Sequence, residues 1–385
     1  MKRKLVAILL CVAMVGSLSA CGNKDENKGI ESTENVENTT QNNASTEVMF
    51  AEEDLPVLTK LADYGDINAI LTEENKPSAD EIEQEVSALI TNAGIGFVEV
   101  TDRDVIQEGD IVKVDYTGYQ NGEAFSGGSA TDQWLNVSQN CQMDLSTGEA
   151  TGGFIDGFTT GLLGKKAGET VRYEVKFPDD YGSEDLAGQA VEFEFVIHSI
   201  HKDELISIDN ITDKMVKENF YKYCQASTMK ELKAYVEEML NYSAIMQYIV
   251  NNSTIEISDK YVEDRTKLYL NYAIMNSFGM DLESYLEAAS VSMEDMLANY
   301  KDTLKEGIKY EVISEKIAEN EKLDLDEAGF KEYIVSMYPE TATEEGLNAY
   351  YAYVGGGSTQ IGKTFAISDK VVKEYFRNAY RESVK

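Results

Sequence analysis

Between Gly109 and Ile200 the apolar residues recur at every second position, and that period constrains this part of the chain more than any other feature. Val171, Tyr173, Val175 and Phe177 alternate with Arg172, Glu174 and Lys176. Side chains of a strand point alternately to opposite faces, so this spacing makes one face apolar and the other wet. Val191, Phe193, Phe195 and Ile197 repeat the pattern, and Val112, Val114 and Tyr116 give a third strand. Asn121-Gly122 is the signal of a tight hairpin turn. Pro178 cannot donate to a ladder, and Gly182 and Gly188 mark turns, so the strands are expected to form an antiparallel sheet. The glycine-bounded run FIDGFTTGLLGKKAGE, residues 154–169, predicts a short helix beside them.

After Glu204 the period changes to that of a helix. Thr228 is expected to cap a helix carrying Leu232, Tyr235, Val236, Met239 and Leu240 on one face. Ser258, Ser292 and Ser368 are expected to start others, while Gly279, Gly307 and the run Gly355-Gly356-Gly357 read as breaks or hinges. Methionine and tyrosine are frequent here. Such stripes build an ordinary bundle core, or they line a surface that accepts many partners. Upstream of the strands, Ser78-Ala79-Asp80-Glu81 is a capping-box signature, opening a helix with Ile82, Val86, Leu89 and Ile90 on one side. The whole chain is therefore α+β.

The amino terminus adds a destination. Lys2, Arg3 and Lys4 precede an apolar run from Leu5 to Val15, too short to span a bilayer and built like a secretory signal. Leu18-Ser19-Ala20-Cys21 resembles a bacterial lipoprotein cleavage box, with Cys21 as the lipidated first residue of the mature chain. Residues 21–50, rich in Asn, Glu, Lys, Ser and Thr, have almost nothing to bury and are expected to be a disordered tether. The formal net charge is −35, which argues against a nucleic acid partner, since phosphates are bound by clustered Lys and Arg. Only Cys141 and Cys224 remain beyond Cys21, with no spacing that favours a bridge. His198 and His201 are the only histidines, and no cluster near them has metal-ligand spacing. Asp324, Asp326 and Glu327 lack the glycine and distal glutamate of a calcium loop and read as a helix start.

Five blocks carry a resemblance: V-D-Y-T-G, N-G-E-A-F, G-F-x-x-G-L-L-G-x-K-x-G-E, F-P-x-D-Y-G, and the last strand around Phe193. Their order resembles the FKBP-type peptidyl-prolyl isomerase domain, and FSGG at Phe125–Gly128, followed by a long helical tail, is similar to the trigger-factor family. The fold implied is an FKBP-like antiparallel sheet wrapped on a short helix, followed by an all-α domain like the trigger-factor C-terminus. The expected boundaries are 1–20 signal peptide, 21–50 tether, 51–100 lead-in, 101–202 isomerase domain and 203–385 helical chaperone-like domain. The resemblance implies catalytic contacts at Tyr116, Phe125, Phe154, Ile155, Phe158, Tyr181 and Phe193. Phe158 is the floor, and the Ile155 N–H and the Tyr181 hydroxyl hold substrate carbonyls. Leu186 and Trp134 are implied as substrate-binding residues, the wall falling at Gln133, Trp134 or Leu135. Ser126 stands where many relatives carry an acid. The stretch 136–153 is longer than the family's turn, either a surface insertion or a flap on the pocket.

The function so implied is a membrane-anchored, extracytoplasmic foldase that isomerises X-Pro bonds and holds unfolded exported polypeptides. The alternative is a catalytically inactive peptide-binding holdase lipoprotein. No cofactor or metal is expected, because turning an amide needs neither. No stretch resembles the ribosome-docking loop of trigger factor, so no ribosome is expected among the partners.

Overall fold

A computed structural model describes residues 50–337 and 359–385. The signal peptide, Cys21, the tether and Gly355–Gly357 lie outside them. The described chain divides into two compact units, one from Ser78 to Glu237 and one combining residues up to Pro77 with Glu238–Lys385.

The first elements, β1 (Val57–Lys60) and α1 (Ile67–Ile70), belong to the second unit. The unit that follows opens with α2 (Ala79–Asn92), where Ser78 and Glu81 exchange both bonds of the expected capping box. Then come β2 (Phe97–Glu99), β3 (Ile111–Gln120), β4 (Glu123–Asn136), β5 (Cys141–Met143), β6 (Ala150–Gly153), β7 (Thr170–Lys176) and β8 (Ala190–Leu205). All pairings are antiparallel in the order β2-β8-β3-β4-β5-β6, with β7 also on β8. β8 is long enough to take two neighbours on one edge: Ala190–Val196 pairs with β7, and the segment from His201 to Leu205 pairs with β2.

The alternation read from sequence sets the core. Val112, Val114, Leu135, Val175, Val191, Phe193, Phe195 and Ile197 are buried together with Phe158 and Leu162. Their outward neighbours on β7 and β8 are mostly exposed, as a period of two requires. The short helix contracts to a single 3-10 turn at Thr160–Leu162. Gly157 and Gly164, with φ of 87° and 75°, bend the chain on either side. A side chain at Gly161 would meet the Tyr173 ring at 2.5 Å.

Residues 136–153 extend the sheet: β5 pairs with the end of β4, and β6 returns along β5. Cys141 and Met143 bury their side chains with Phe97 and Ile111, against Trp134, Leu145 and Leu205, in a cluster separate from the main core. Cys141 and Cys224 are free thiols. Two further helices, α3 (Asp213–Cys224) and α4 (Met229–Asn252), continue the chain, and the division between units falls inside α4.

In the second unit β1 pairs with β9 (Thr254–Glu256). Ala62, Ile67 and Ile70 sit in one core with Tyr242, Ile245, Ile249, Ile313 and Phe376. Of the segment 51–100 expected as a lead-in, the part up to Pro77 thus helps build the helical unit, and α2 and β2 belong to the sheet unit. Ser258 and Ser292 cap α5 (Asp259–Phe278) and α7 (Met293–Glu321), with α6 (Leu282–Ala289) between them. Gly279 ends α5 in the left-handed region with φ 67°.

One expected break and one expected helix start do not occur. Gly307 lies inside the continuous 29-residue α7, where buried Met296, Ile308, Ile313 and Ile317 outweigh the cost of about 1 kcal/mol for a helical glycine. Ser368 starts no helix: α9 (Thr359–Ala366), after α8 (Glu327–Met337), runs through a π-helical stretch, Ile367–Val372, into α10 (Lys373–Ser383). The Ser368 hydroxyl instead meets that of Ser314 at 2.9 Å. Asp326 accepts the Gly329 N–H at 2.7 Å at the start of α8, the helix-start role read for that acidic cluster.

Candidate functional site

The rings expected at the site come from five separate places along the chain and meet at one end of the core. Tyr116 from β3 lies edge-on to Phe158 at 5.1 Å and to Phe154 at 6.2 Å. Phe193 from β8 stands 4.8 Å from Phe158 and 5.9 Å from Phe125. Phe177 links Phe125, at 6.2 Å, to Tyr181, at 4.5 Å. Phe158 and Phe193 are buried, Tyr116, Phe125, Phe154, Ile155 and Leu186 are partly buried against the same core, and Tyr181 is 40 % exposed. Edge-to-face pairs of this kind contribute about 0.5–1.5 kcal/mol each beyond the area they bury. The result is an aromatic surface with a buried floor and a solvent-facing rim. Burial raises the Tyr116 hydroxyl above its ordinary pKa, so it stays protonated at neutral pH.

Trp134 does not join them. It packs on Phe97 at 5.9 Å and on His201 at 4.5 Å, in the separate cluster beyond the sheet. The cause is register. A bulge with Asp132 at φ 55° lies between the Val114–Gln133 and Tyr116–Ala130 pairs. Leu135, not Trp134, then enters the main core.

Phe125 owes its position to glycine. A side-chain carbon at Gly118 or at Gly128 would stand 2.5 Å from its ring, so the ring lies against bare backbone on both sides. These are the terminal glycines of the V-D-Y-T-G and F-S-G-G blocks. Ser126 is exposed beside it. The loop carrying Tyr181 and Leu186 is bonded to itself, Gly188 N–H to Pro178 O at 2.9 Å and Leu186 N–H to Ser183 O at 3.1 Å. Gln120 donates to Asp185 O at 3.1 Å, tying that loop to the end of β3.

Sequence reasoning missed three contributors. Tyr173 donates to the Phe158 carbonyl and stacks on Phe195 at 5.2 Å, buttressing the floor from below. Phe177 bridges two site rings. Tyr173 lies on the apolar face of β7 and Phe177 continues its period one residue beyond the strand, so the alternation carried the signal. The third is Asn140, whose side chain bonds Phe154 O and Ile155 O, each at 3.0 Å; nothing in its surroundings in sequence marks it. The Ile155 N–H and the Tyr181 hydroxyl have no hydrogen-bond partner among the described residues.

Among the described residues no group of three or more His, Cys, Asp or Glu is placed to hold a metal ion. No helix among them is long and apolar enough to cross a membrane.

A half-barrel of antiparallel strands closed over an aromatic floor, with unpaired donors at its rim, defines an FKBP-type domain. Residues 103–198 match the family described as FKBP-type peptidyl-prolyl cis-trans isomerase, and that domain is present. Residues 214–352 match the family described as bacterial trigger factor protein C-terminus. The chain is trigger-factor-like. It is 28 % identical to the trigger factor of Alkaliphilus metalliredigens over 271 residues, covering 67 % of this chain and 58 % of that one. For the trigger factor of Streptococcus uberis the identity is 31 %, covering 68 % of this chain and 60 % of the relative. The trigger factor of Shouchella clausii is 28 % identical, with 77 % and 67 % covered. The chain thus spans about 58–67 % of the length of these relatives.

Proposed function

We propose that the chain is an exported, lipid-anchored foldase that isomerises X-Pro bonds in unfolded polypeptides and holds those polypeptides while they fold. The convergence of Tyr116, Phe125, Phe158, Tyr181 and Phe193 on one surface beside the Ile155 N–H carries the isomerase part of this reading, and the Leu18-Ser19-Ala20-Cys21 box carries the export and the anchor.

An X-Pro bond rotates slowly because the amide must lose resonance, a barrier of about 18–20 kcal/mol. No nucleophile or acid is required. A surface that binds the twisted amide more tightly than either planar form lowers the barrier. The apolar floor seats the prolyl ring and dehydrates the amide, and the Ile155 N–H and the Tyr181 hydroxyl fix neighbouring carbonyls as the bond turns. Uncatalysed isomerisation takes tens of seconds, during which a freshly exported chain exposes apolar surface. Met275 and Phe278, 44 % and 43 % exposed in the helical unit, offer adaptable apolar contacts to such a chain.

Proline-limited refolding of a model client tests the enzyme: the intact chain should accelerate it, and a variant with Phe158→Leu and Tyr181→Phe should not. Buffer-level rates for both would leave the inactive holdase, a reading favoured by the Phe154 ring lying over the floor. Fatty-acid labelling of the chain in a bacterial host tests the anchor, with Cys21→Ser expected to abolish it. Label retained in that variant would refute lipidation at Cys21.

A further inference from the structure

We infer that Asn140 is a positioning residue of the isomerase site, its carboxamide turning the Phe154–Ile155 peptide so that the Ile155 N–H faces bound polypeptide. The inference rests on the isomerase reading of the site and deepens it.

Asn140 grips the turn from both sides. Its Nδ2 donates to Phe154 O and to Ile155 O, each at 3.0 Å, while its backbone carbonyl accepts the Phe154 N–H at 3.0 Å. Its Oδ1 accepts the Thr159 N–H at 3.1 Å and lies 3.0 Å from the Thr159 hydroxyl, which also reaches Val137 O at 2.9 Å. Thr159 is fully buried, so the far end of the clamp is anchored in the core. In a trans peptide the carbonyl and the N–H point in opposite directions. Pinning Phe154 O on Asn140 therefore aims the Ile155 N–H the other way, and that N–H meets no acceptor among the described residues. The Ile155 carbonyl is taken twice, by Asn140 and by the Phe158 N–H at 3.1 Å. The Ile155 N–H is left as the free donor of that peptide.

The residue type follows from the task. Asn140 has φ 52°, a conformation that asparagine tolerates better than most residues. Donor and acceptor must both be present on one short planar group. Aspartate would keep the shape and the bonds to Thr159 but set a charged oxygen against two carbonyl oxygens. Glycine would keep the backbone conformation and delete the clamp. The device sits at the start of the β5–β6 extension, so the extra segment has a part in the site.

The test compares the intact chain with Asn140→Gly, Asn140→Asp and Asn210→Ala in isomerisation of a proline tetrapeptide, at a temperature where circular dichroism shows each variant folded. Asn210 is a control of the same chemistry on another turn, bonding Leu205 O at 3.0 Å and Ser207 N–H at 2.7 Å. Both Asn140 variants should lose about tenfold in kcat/KM, the worth of one misplaced hydrogen bond, with a raised KM. Asn210→Ala should stay within about twofold of the intact chain. A purely structural role would lower apparent kcat with the folded fraction and leave KM unchanged; that result, or intact-chain values for both Asn140 variants, overturns the proposal. Should the intact chain itself run at the buffer rate, the isomerase reading fails separately. The clamp is then decided by amide resonances of isoleucine-labelled chain titrated with the same peptide. A shift of Ile155 that disappears in Asn140→Asp supports it, and equal or absent shifts in both overturn it.

Discussion

The Phe154 ring lies flat on the Phe158 ring, centroids 4.3 Å apart and planes 12° from parallel. Phe158 is buried and Phe154 only partly buried, so the outer ring covers one face of the inner one, the face that the proposed isomerase reading gives to a prolyl ring. A substrate must displace it or stack against it in its place. Phe154→Val should therefore lower KM for a proline tetrapeptide several-fold while costing about 1–2 kcal/mol of stability through the lost stack. Steady-state kinetics and urea unfolding check the two parts; a raised KM would mean that Phe154 is itself a substrate contact.

The Phe125 ring is held between Gly118 and Gly128, each leaving no room for a methyl group. Gly118→Ala or Gly128→Ala should cost about 1–3 kcal/mol by overpacking and reduce isomerase activity by moving Phe125. Combining Gly118→Ala with Phe125→Leu should recover part of the stability and none of the activity. Denaturant midpoints and peptide turnover on the four proteins separate packing from function.

How far the sequence reached depends on how local the determinant was. Strand alternation, the Ser78 capping box and the caps at Ser258 and Ser292 are properties of short windows, and each could be read. The aromatic site could be read only because five blocks in fixed order point to one fold; singly, Phe193 or Tyr116 is indistinguishable from ordinary core. Non-local determinants escaped. Trp134 changed face through a bulge at Asp132 that no composition signals. The Ala-Thr-Gly-Gly of β6 has no apolar alternation and is a strand because β5 pairs with it. Residues 57–70 joined the helical unit through pairing with Thr254–Glu256, nearly two hundred residues away.

His201 links pH to stability. Its Nδ1 lies 2.8 Å from Phe97 O and its Nε2 2.7 Å from the Ser199 hydroxyl, an arrangement satisfied by the neutral ring. Burial holds its pKa below the ordinary 6.5, outweighing the Phe97 carbonyl, which favours the proton. The unfolded chain then takes up this proton at higher pH than the folded one, so the contribution is complete above about pH 6.5 and is lost as pH falls toward the lowered value. Trp134, the lone tryptophan, lies 4.5 Å away and reports unfolding of this unit by fluorescence. Its urea midpoint should drop between pH 7.5 and 5.5, and His201→Gln should flatten that drop.

Gly307 has open space where a side chain would begin and lies in a helix that packing holds together. Gly307→Ala should stabilise the helical unit by about 0.5–1 kcal/mol. A rise in the thermal midpoint of helix ellipticity checks this; no rise would mean that the position serves motion or a partner.

Arg265 and Glu311 test what the helical unit gains from a charge pair inside its core. The two side chains are 6 % and 10 % exposed and join through two bonds of 3.0 Å, with the Tyr261 hydroxyl 3.1 Å from the same guanidinium. Burial works against the arginine's charge, but Glu311 and Tyr261 more than reverse it, so the guanidinium stays charged. Removing one partner strands the other's charge in an apolar setting, and Arg265→Met or Glu311→Leu alone should cost about 3–5 kcal/mol. Removing both exchanges the attraction for hydrophobic contact without leaving a charge behind. The double variant should fall within about 1 kcal/mol of the intact chain, a large coupling energy in a double-mutant cycle. Additive losses would instead mean that each side chain stabilises the unit through neighbours other than its partner. Urea unfolding followed by helix ellipticity distinguishes these outcomes, because both residues lie on helices of the same unit, α5 and α7.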